Sequence, residues 1–193
     1  MPLMVADFVT VAITPPEPLD DEPRRIAQLL DAGVDRVHIR HPRISREEMS
    51  SILATISPSY RSHISIHDHI SIALEFEGVG VHLGSRNPEW THDVRPPKLS
   101  RSMHSIAELA NAGEYDYVTL SPIYDSISKQ GYSSAFALGS SLGEAISGHN
   151  VVALGGVTPE KFDELKQCGF VGAAMLGWVW QNDLKTIEEK LKR

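Results

Sequence analysis

The segment VVALGGVTPE, Val151–Glu160, reads as an apolar strand that ends in two glycines and then a Thr-Pro-Glu helix start. Upstream, VTLSPIYDSISKQGY, Val118–Tyr132, is a second apolar strand running into a loop with two hydroxyls and an ammonium, Ser126, Ser128 and Lys129. Strands alternating with helices build parallel sheets, whose ligands sit at the carboxyl ends of the strands. Two such loops on successive strands predict two anion-holding sites, and so a ligand with more than one phosphate-like group.

The same alternation runs outward through the chain. The strand candidates are DFVTVAIT, VDRVHIR, HISIHD, VGVHLG, LSRSMH, YVTLSP, VVALGG and VGAAMLG. Between them lie helix candidates at Glu22–Ala32, Ser45–Thr55, Ile70–Phe76, Ser105–Gly113, Leu138–Ser147 and Pro159–Cys168, with a last one from Asp183. Gly33, Gly113 and Gly169 each follow a helical pattern, where a C-terminal cap favours glycine. The proline-rich, polar stretch Ser85–Lys98 predicts a loop where the fourth helix would stand. Eight β/α units with right-handed crossovers predict a compact (β/α)8 TIM barrel, one domain over residues 1–193. The chain is short for a barrel, and a doubly wound open sheet is the competing arrangement.

Composition narrows the function classes. The formal net charge of −7 argues against nucleic acid as a partner, since such binders are usually basic. The single cysteine, Cys168, excludes an intramolecular disulfide and fits a reducing compartment. No apolar run approaches the length of a membrane span, and the N-terminal MPLMVADFVTVAIT has no basic leader, so we expect a cytoplasmic protein with no membrane partner.

Alternate residues of a barrel strand face the helices and the barrel interior. Val37 and Ile39 then face outward, and His38 and Arg40 inward. Val79, Val81 and Leu83 face outward, leaving Gly80 and His82 inside; Val118 and Leu120 leave Thr119 and Ser121 inside. Buried polar groups need partners, and a polar ligand is one.

Several residues are candidates for chemistry. Ser126, Ser128 and Lys129 can bind an oxyanion by charge-assisted hydrogen bonds, or form a plain polar loop. Gly155 and Gly156 let backbone N–H groups approach an anion at a helix start, or simply make a tight turn. Leu176 and Gly177 end the eighth strand at the matching level, where barrels often hold phosphate. Arg40 can clamp a pyrophosphate or form an ion pair at the rim. His38, His67, His82 and His104 fall at or near strand ends; their spacing matches no structural zinc pattern, which leaves acid–base work or hydrogen-bonded core positions. Asp68 can hold magnesium or cap the segment from Ile70.

At these residues, from about Val34 to Gln181, the chain resembles the thiamin phosphate synthase/TenI family of barrel enzymes. The family's strand-two pattern is matched by His38 and Arg40, and its Asn-Asp after strand three by His67-Asp68. Its Val-His-Leu-Gly stands at Val81–Gly84, and its Ser-x-His-Ser/Thr at Ser102–Ser105. Its serine- or threonine-rich lysine loop stands at Ser121–Lys129, and its Gly-Gly-Val-Thr-Pro-Glu at Gly155–Glu160.

The resemblance implies small phosphorylated thiazole and pyrimidine substrates. It implies that Arg40, Ser102 and Lys129 hold a pyrophosphate with Mg2+ on Asp68, that Ser126 and Ser128 orient the thiazole, and that Gly156, Leu176 and Gly177 hold its phosphate. A homodimer is also implied. The family's strand-two lysine is Pro42 here, its second metal aspartate is Asn87, and the asparagine before the first is His67. One cation and one carboxylate are missing, which leans away from the synthase, a transferase that needs Mg2+. It leans toward a TenI-like thiazole tautomerase, an isomerase that needs no cofactor. That branch's catalytic histidine falls at Pro122, so His38, His67 or His104 must supply the base. A non-catalytic binder of thiazole or thiamin phosphate is the third reading.

Overall fold

The computed structural model describes residues 8–125 and 136–192. Eight parallel strands close into a barrel in sequence order: β1 Val9–Ile13, β2 Arg36–Ile39, β3 Ile64–Ile66, β4 Gly80–Leu83, β5 Leu99–Met103, β6 Tyr117–Leu120, β7 Val151–Leu154 and β8 Gly172–Met175. All eight expected strands are present. The pairing of β1 with β8, Thr10 opposite Ala173, closes the sheet and rules out the open doubly wound arrangement.

The helices α1 Glu22–Asp31, α2 Arg46–Thr55, α3 Pro58–Arg61, α4 Ser140–Ile146, α5 Phe162–Cys168, α6 Gly177–Gln181 and α7 Leu184–Leu191 surround it. α1 buries Ile26 and Leu29, and the chain leaves it through Gly33 at φ 100°. α2 starts in a reciprocal cap: Ser45 Oγ accepts from Glu48 N–H at 3.2 Å, and Glu48 Oε2 accepts from Ser45 N–H at 2.9 Å.

Three expectations are corrected. Ile70–Leu74 and Ala107–Glu114 are 3-10 turns, not α-helices, and Gly113 lies inside the second of them, so it caps nothing. α3 and α6 were not foreseen; with four and five residues they are too short to show a helical period. The stretch from Ser85 to Lys98 carries no helix, as its prolines predict.

The alternation of inward and outward residues holds, and it divides the core in two. Outward residues such as Val37, Ile39, Val81 and Leu120 pack with Ile26, Leu29, Met49, Leu53, Leu165 and Ile187 of the helices. Inside the barrel only one side is apolar, built from Val11, Ile13, Val152 and Ala174. The other side is a buried polar wall that includes His38, Ser65, His82, Ser100 and Thr119. Arg36 closes this wall at the strands' amino ends, donating to the carbonyls of Ser62 (2.8 Å) and Ile64 (3.2 Å) and to Ser65 Oγ (3.1 Å). No helix among the described residues is long and apolar enough to cross a membrane.

Candidate functional site

A cavity of about 580 Å³ opens at the carboxyl ends of the strands, within the usual range for small-molecule sites. Of the residues singled out in the sequence, Arg40, His67, Ser102, His104, Gly155, Gly156, Leu176 and Gly177 all line it. His38 lies beneath His67, outside the lining. Ser126, Ser128 and Lys129 lie outside the described residues.

The floor is a column of imidazoles. His38 Nδ1 is 2.9 Å from His67 Nε2, and His38 Nε2 is 2.5 Å from the Tyr117 hydroxyl. His82 stacks on His67 with ring centres 4.3 Å apart, and its two nitrogens meet Ser100 Oγ and Ser102 Oγ, each at 2.8 Å. Burial is the main cause that lowers the pKa of all three: His82 to about 3, and His38 and His67 well below the ordinary value. All three are therefore neutral at neutral pH. Their nearest ring nitrogens lie within 4.8 Å of one another. However, His38 and His82 each spend both nitrogens on hydrogen bonds, and the near-parallel rings of His67 and His82 keep their lone pairs from converging. This favours a hydrogen-bonded column over a metal centre. Of the two readings open for His82, the structure places the hydrogen-bonded core position.

At the cavity wall His104 is exposed, and its Nδ1 sits against Ser121, 3.2 Å from Oγ and 3.3 Å from the carbonyl oxygen. A carbonyl oxygen only accepts, so the Nδ1–H tautomer satisfies this contact and leaves the lone pair on Nε2. Nε2 has no hydrogen-bond partner among the described residues.

The glycine end differs in one respect from expectation. Gly155 and Gly156 have φ of 98° and 62°. A Cβ on Gly156 would stand 2.3 Å from the Asp125 carbonyl oxygen, and one on Gly155 would stand 2.9 Å from Pro122 Cα. The chain's own loop after β6 fills the room that the missing side chains leave. These glycines are required by that packing first, and any approach to an anion is through their backbone. Gly177 opens α6 at the same end of the cavity.

Across the mouth, at the ends of β2, β3 and β4, the charges are arranged in a way the sequence did not disclose. Arg86 donates to Asp68 Oδ1 from Nε at 2.9 Å and from Nη2 at 2.7 Å. Asp68 therefore does not cap the turn after it; that cap position is His69, at φ 50° and with no side-chain cap bond. Of the two readings of Arg40, the rim ion pair is not formed with any described residue; Arg86 pairs with the nearby aspartate instead. Arg86 stands one residue before Asn87, and no local pattern in the sequence links it to Asp68. Tyr117 was missed because it faces inward from β6 yet reaches across to β2. Trp178 was missed because α6 was.

Magnesium is the metal a synthase would place on Asp68. The residues do not fit it. Among the described residues, the only carboxylate there already holds a guanidinium on Oδ1, and its Oδ2 is buried. Asn87 Nδ2 donates to the His67 carbonyl at 2.7 Å, and its backbone is pinned to Gly84 by two 3.1 Å bonds.

Comparison with known proteins bears on this geometry. The sequence model of the family described as thiamine monophosphate synthase matches residues 10–179. The thiamine-phosphate synthase 1 of Aquifex aeolicus is 26% identical, over 87% of this chain and 83% of that protein. A thiamine-phosphate synthase of Listeria monocytogenes is 27% identical, over 72% of this chain and 69% of that protein. Among solved structures, a thiamine phosphate pyrophosphorylase from Bacteroides thetaiotaomicron matches with a TM-score of 0.79 at 30% identity, covering 96% of each chain.

Proposed function

The chain belongs to the thiamine monophosphate synthase family, enzymes of thiamin biosynthesis, and from that premise we propose that it acts on thiazole phosphate as a tautomerase of the TenI type. One observation carries this reading. His104 on the cavity wall rests against Ser121, the residue before Pro122. The resemblance puts the catalytic histidine of that branch at position 122, where proline can move no proton. A histidine from the end of β5 supplies an imidazole to the same corner.

The reaction is a proton shift that aromatises the thiazole. Nε2 of His104, bare in the tautomer that Ser121 selects, takes a proton from the ring carbon, and the proton is returned at the far end of the conjugated system. No electrons change hands and nothing leaves. The glycine end, Gly155, Gly156, Leu176 and Gly177, holds the phosphate and fixes the ring before His104. His67, kept neutral by burial, lines the same cavity and serves as a hydrogen-bonding partner. A tautomerase of this kind needs no cofactor.

The names of the relatives favour a second reading, the synthase, which joins hydroxymethylpyrimidine pyrophosphate to thiazole phosphate and releases pyrophosphate. Arg40, Ser102 and Lys129 would then hold the leaving group, and Ser126 and Ser128 the thiazole. Against it stand Pro42, Asn87 and the occupied Asp68. One domain over residues 1–193, a cytoplasmic location and a homodimer belong to either reading as proposals.

Incubation with the thiazole phosphate carboxylate, with and without magnesium and the pyrimidine pyrophosphate, tests the choice. Aromatised thiazole formed without magnesium supports the tautomerase. Thiamin phosphate as the only product overturns it in favour of the synthase. Thiazole phosphate bound with no turnover of either kind leaves a binding protein.

A further inference from the structure

Among the described residues, the end of the cavity opposite the glycines carries two positive charges, on Arg40 and Arg86, with Asp68 bound to Arg86 at its mouth. Asp68 contributes −1, Arg86 +1 and Arg40 +1, a sum of +1 before any ligand arrives. Asp68 is 6% exposed. Its Oδ1 receives both bonds from Arg86, and its Oδ2 is buried with no partner in the structure. Arg40 and Arg86 both line the cavity. Arg40 is half-buried, and its guanidinium forms no ion pair among the described residues. Burial chiefly, and then the neighbouring Arg86, lowers its pKa, yet a guanidinium stays charged in proteins. Partly desolvated like charges side by side are costly unless an anion joins them. The two guanidiniums are short of an anion, and the one unpartnered carboxylate oxygen beside them, Asp68 Oδ2, is buried away from the cavity.

A divalent ion at Asp68 would have to expel Arg86 or lie beside it, with one carboxylate to oppose the ion's two charges and those of Arg40 and Arg86. Arg86 instead already engages that carboxylate through Nε and Nη2, and its Nη1 makes no hydrogen bond among the described residues. A planar guanidinium suits bidentate recognition of carboxylate or phosphate oxygens. We propose that Arg86 replaces the divalent cation, and that Arg40 and Arg86 together form a metal-independent site for a second anionic group. That group is the carboxylate of a ligand whose phosphate sits at the glycine end, or the pyrophosphate of a second ligand. Asp68 is a positioning residue, which aims Arg86 and lets a guanidinium stay fixed at the rim.

The inference concerns binding and does not depend on which reaction the barrel carries out. Calorimetry with pyrophosphate as the probe, in excess magnesium and in EDTA, tests it on the intact chain. The expected result is an affinity that chelation leaves unchanged. Arg86→Ala should weaken binding in EDTA by about tenfold or more, the size of a lost charged hydrogen bond. The double variant Arg86→Ala with Asn87→Asp frees Asp68 and adds a second carboxylate, so its pyrophosphate binding should require magnesium. A second arm compares thiazole phosphate with and without the ring carboxylate. A gain in affinity from the carboxylate that is lost in Arg86→Ala assigns the site to carboxylate, and a gain confined to pyrophosphate assigns it to the leaving group. Binding of pyrophosphate by the unaltered chain only with magnesium overturns the proposal. So does unweakened binding by Arg86→Ala in both arms, or binding of neither probe. Circular dichroism of each variant separates these outcomes from loss of the fold.

Discussion

Nδ1 of His38 and Nε2 of His67 lie 2.9 Å apart inside the barrel, so one of them carries the proton and the other offers its lone pair. Protonating both rings would set two N–H groups against each other. Burial works in the same direction and keeps both rings neutral, as it does His82.

This sets a pH dependence. In the unfolded chain the three histidines titrate near 6.5, and in the folded chain they titrate below that, His82 at about 3. Between those values the unfolded chain binds more protons, so stability is full above about 6.5 and falls as the pH drops. Urea midpoints measured from pH 7.5 to pH 4 should decline. The variant His38→Gln with His67→Asn should decline less steeply, and a parallel decline in the two proteins would refute the account.

Tyr117→Phe removes the hydroxyl that meets His38 Nε2 and leaves a buried nitrogen without a partner. We expect a loss of about 1–3 kcal/mol in urea denaturation. Tyr60→Phe is the control, because that hydroxyl bonds Asp31 at the surface, and it should change little.

Glu22 and His41 form a pair at 2.8 Å with side chains 1% and 0% exposed. His41→Leu strands the carboxylate and should cost about 3–5 kcal/mol. Adding Glu22→Leu should recover much of that loss. A double variant no more stable than the single one would mean that the loop between β1 and α1 needs the pair for its shape.

Gly156→Ala adds a methyl that meets the Asp125 carbonyl at 2.3 Å on a backbone with φ 62°. Melting temperature and thiazole phosphate affinity should fall together, with about 1–3 kcal/mol lost in stability. A loss of affinity with an unchanged melting temperature would show that the loop gives way freely and that the glycine serves the ligand alone.

His104→Asn keeps a polar group at the wall and removes the base. Tautomerase turnover should fall by about 10²–10⁴-fold. Thiazole phosphate affinity and melting temperature should hold. Turnover that survives moves the proton transfer to His67.

The barrel was legible because each strand carries a strong apolar alternation, and because period-two patterning assigns faces as well as elements. His38 and His82 could be placed inside for that reason alone. The glycine end was legible as a motif, but its physical reason was not, since the contact of Gly156 with Asp125 joins two loops that only the closed sheet brings together. The Arg86–Asp68 pair spans 18 positions and two strands, and nothing in local spacing reports it. The short helices α3 and α6, and the 3-10 turn at Ala107–Glu114, failed for the opposite reason: they are held by their neighbours and not by any period of their own.

The barrel's inner wall is apolar on one side only, while its outer layer against the helices is apolar except at positions such as Thr10 and Arg101. Folding and chemistry are thus assigned to opposite faces of the same eight strands. A residue that turns outward is answerable to the helices. One that turns inward on β2 to β6 is answerable chiefly to its polar neighbours and to whatever the cavity holds. Inward positions such as 38, 67 and 102 can therefore be exchanged as a matched set, and a new specificity could be written into this scaffold without redesigning what makes it fold.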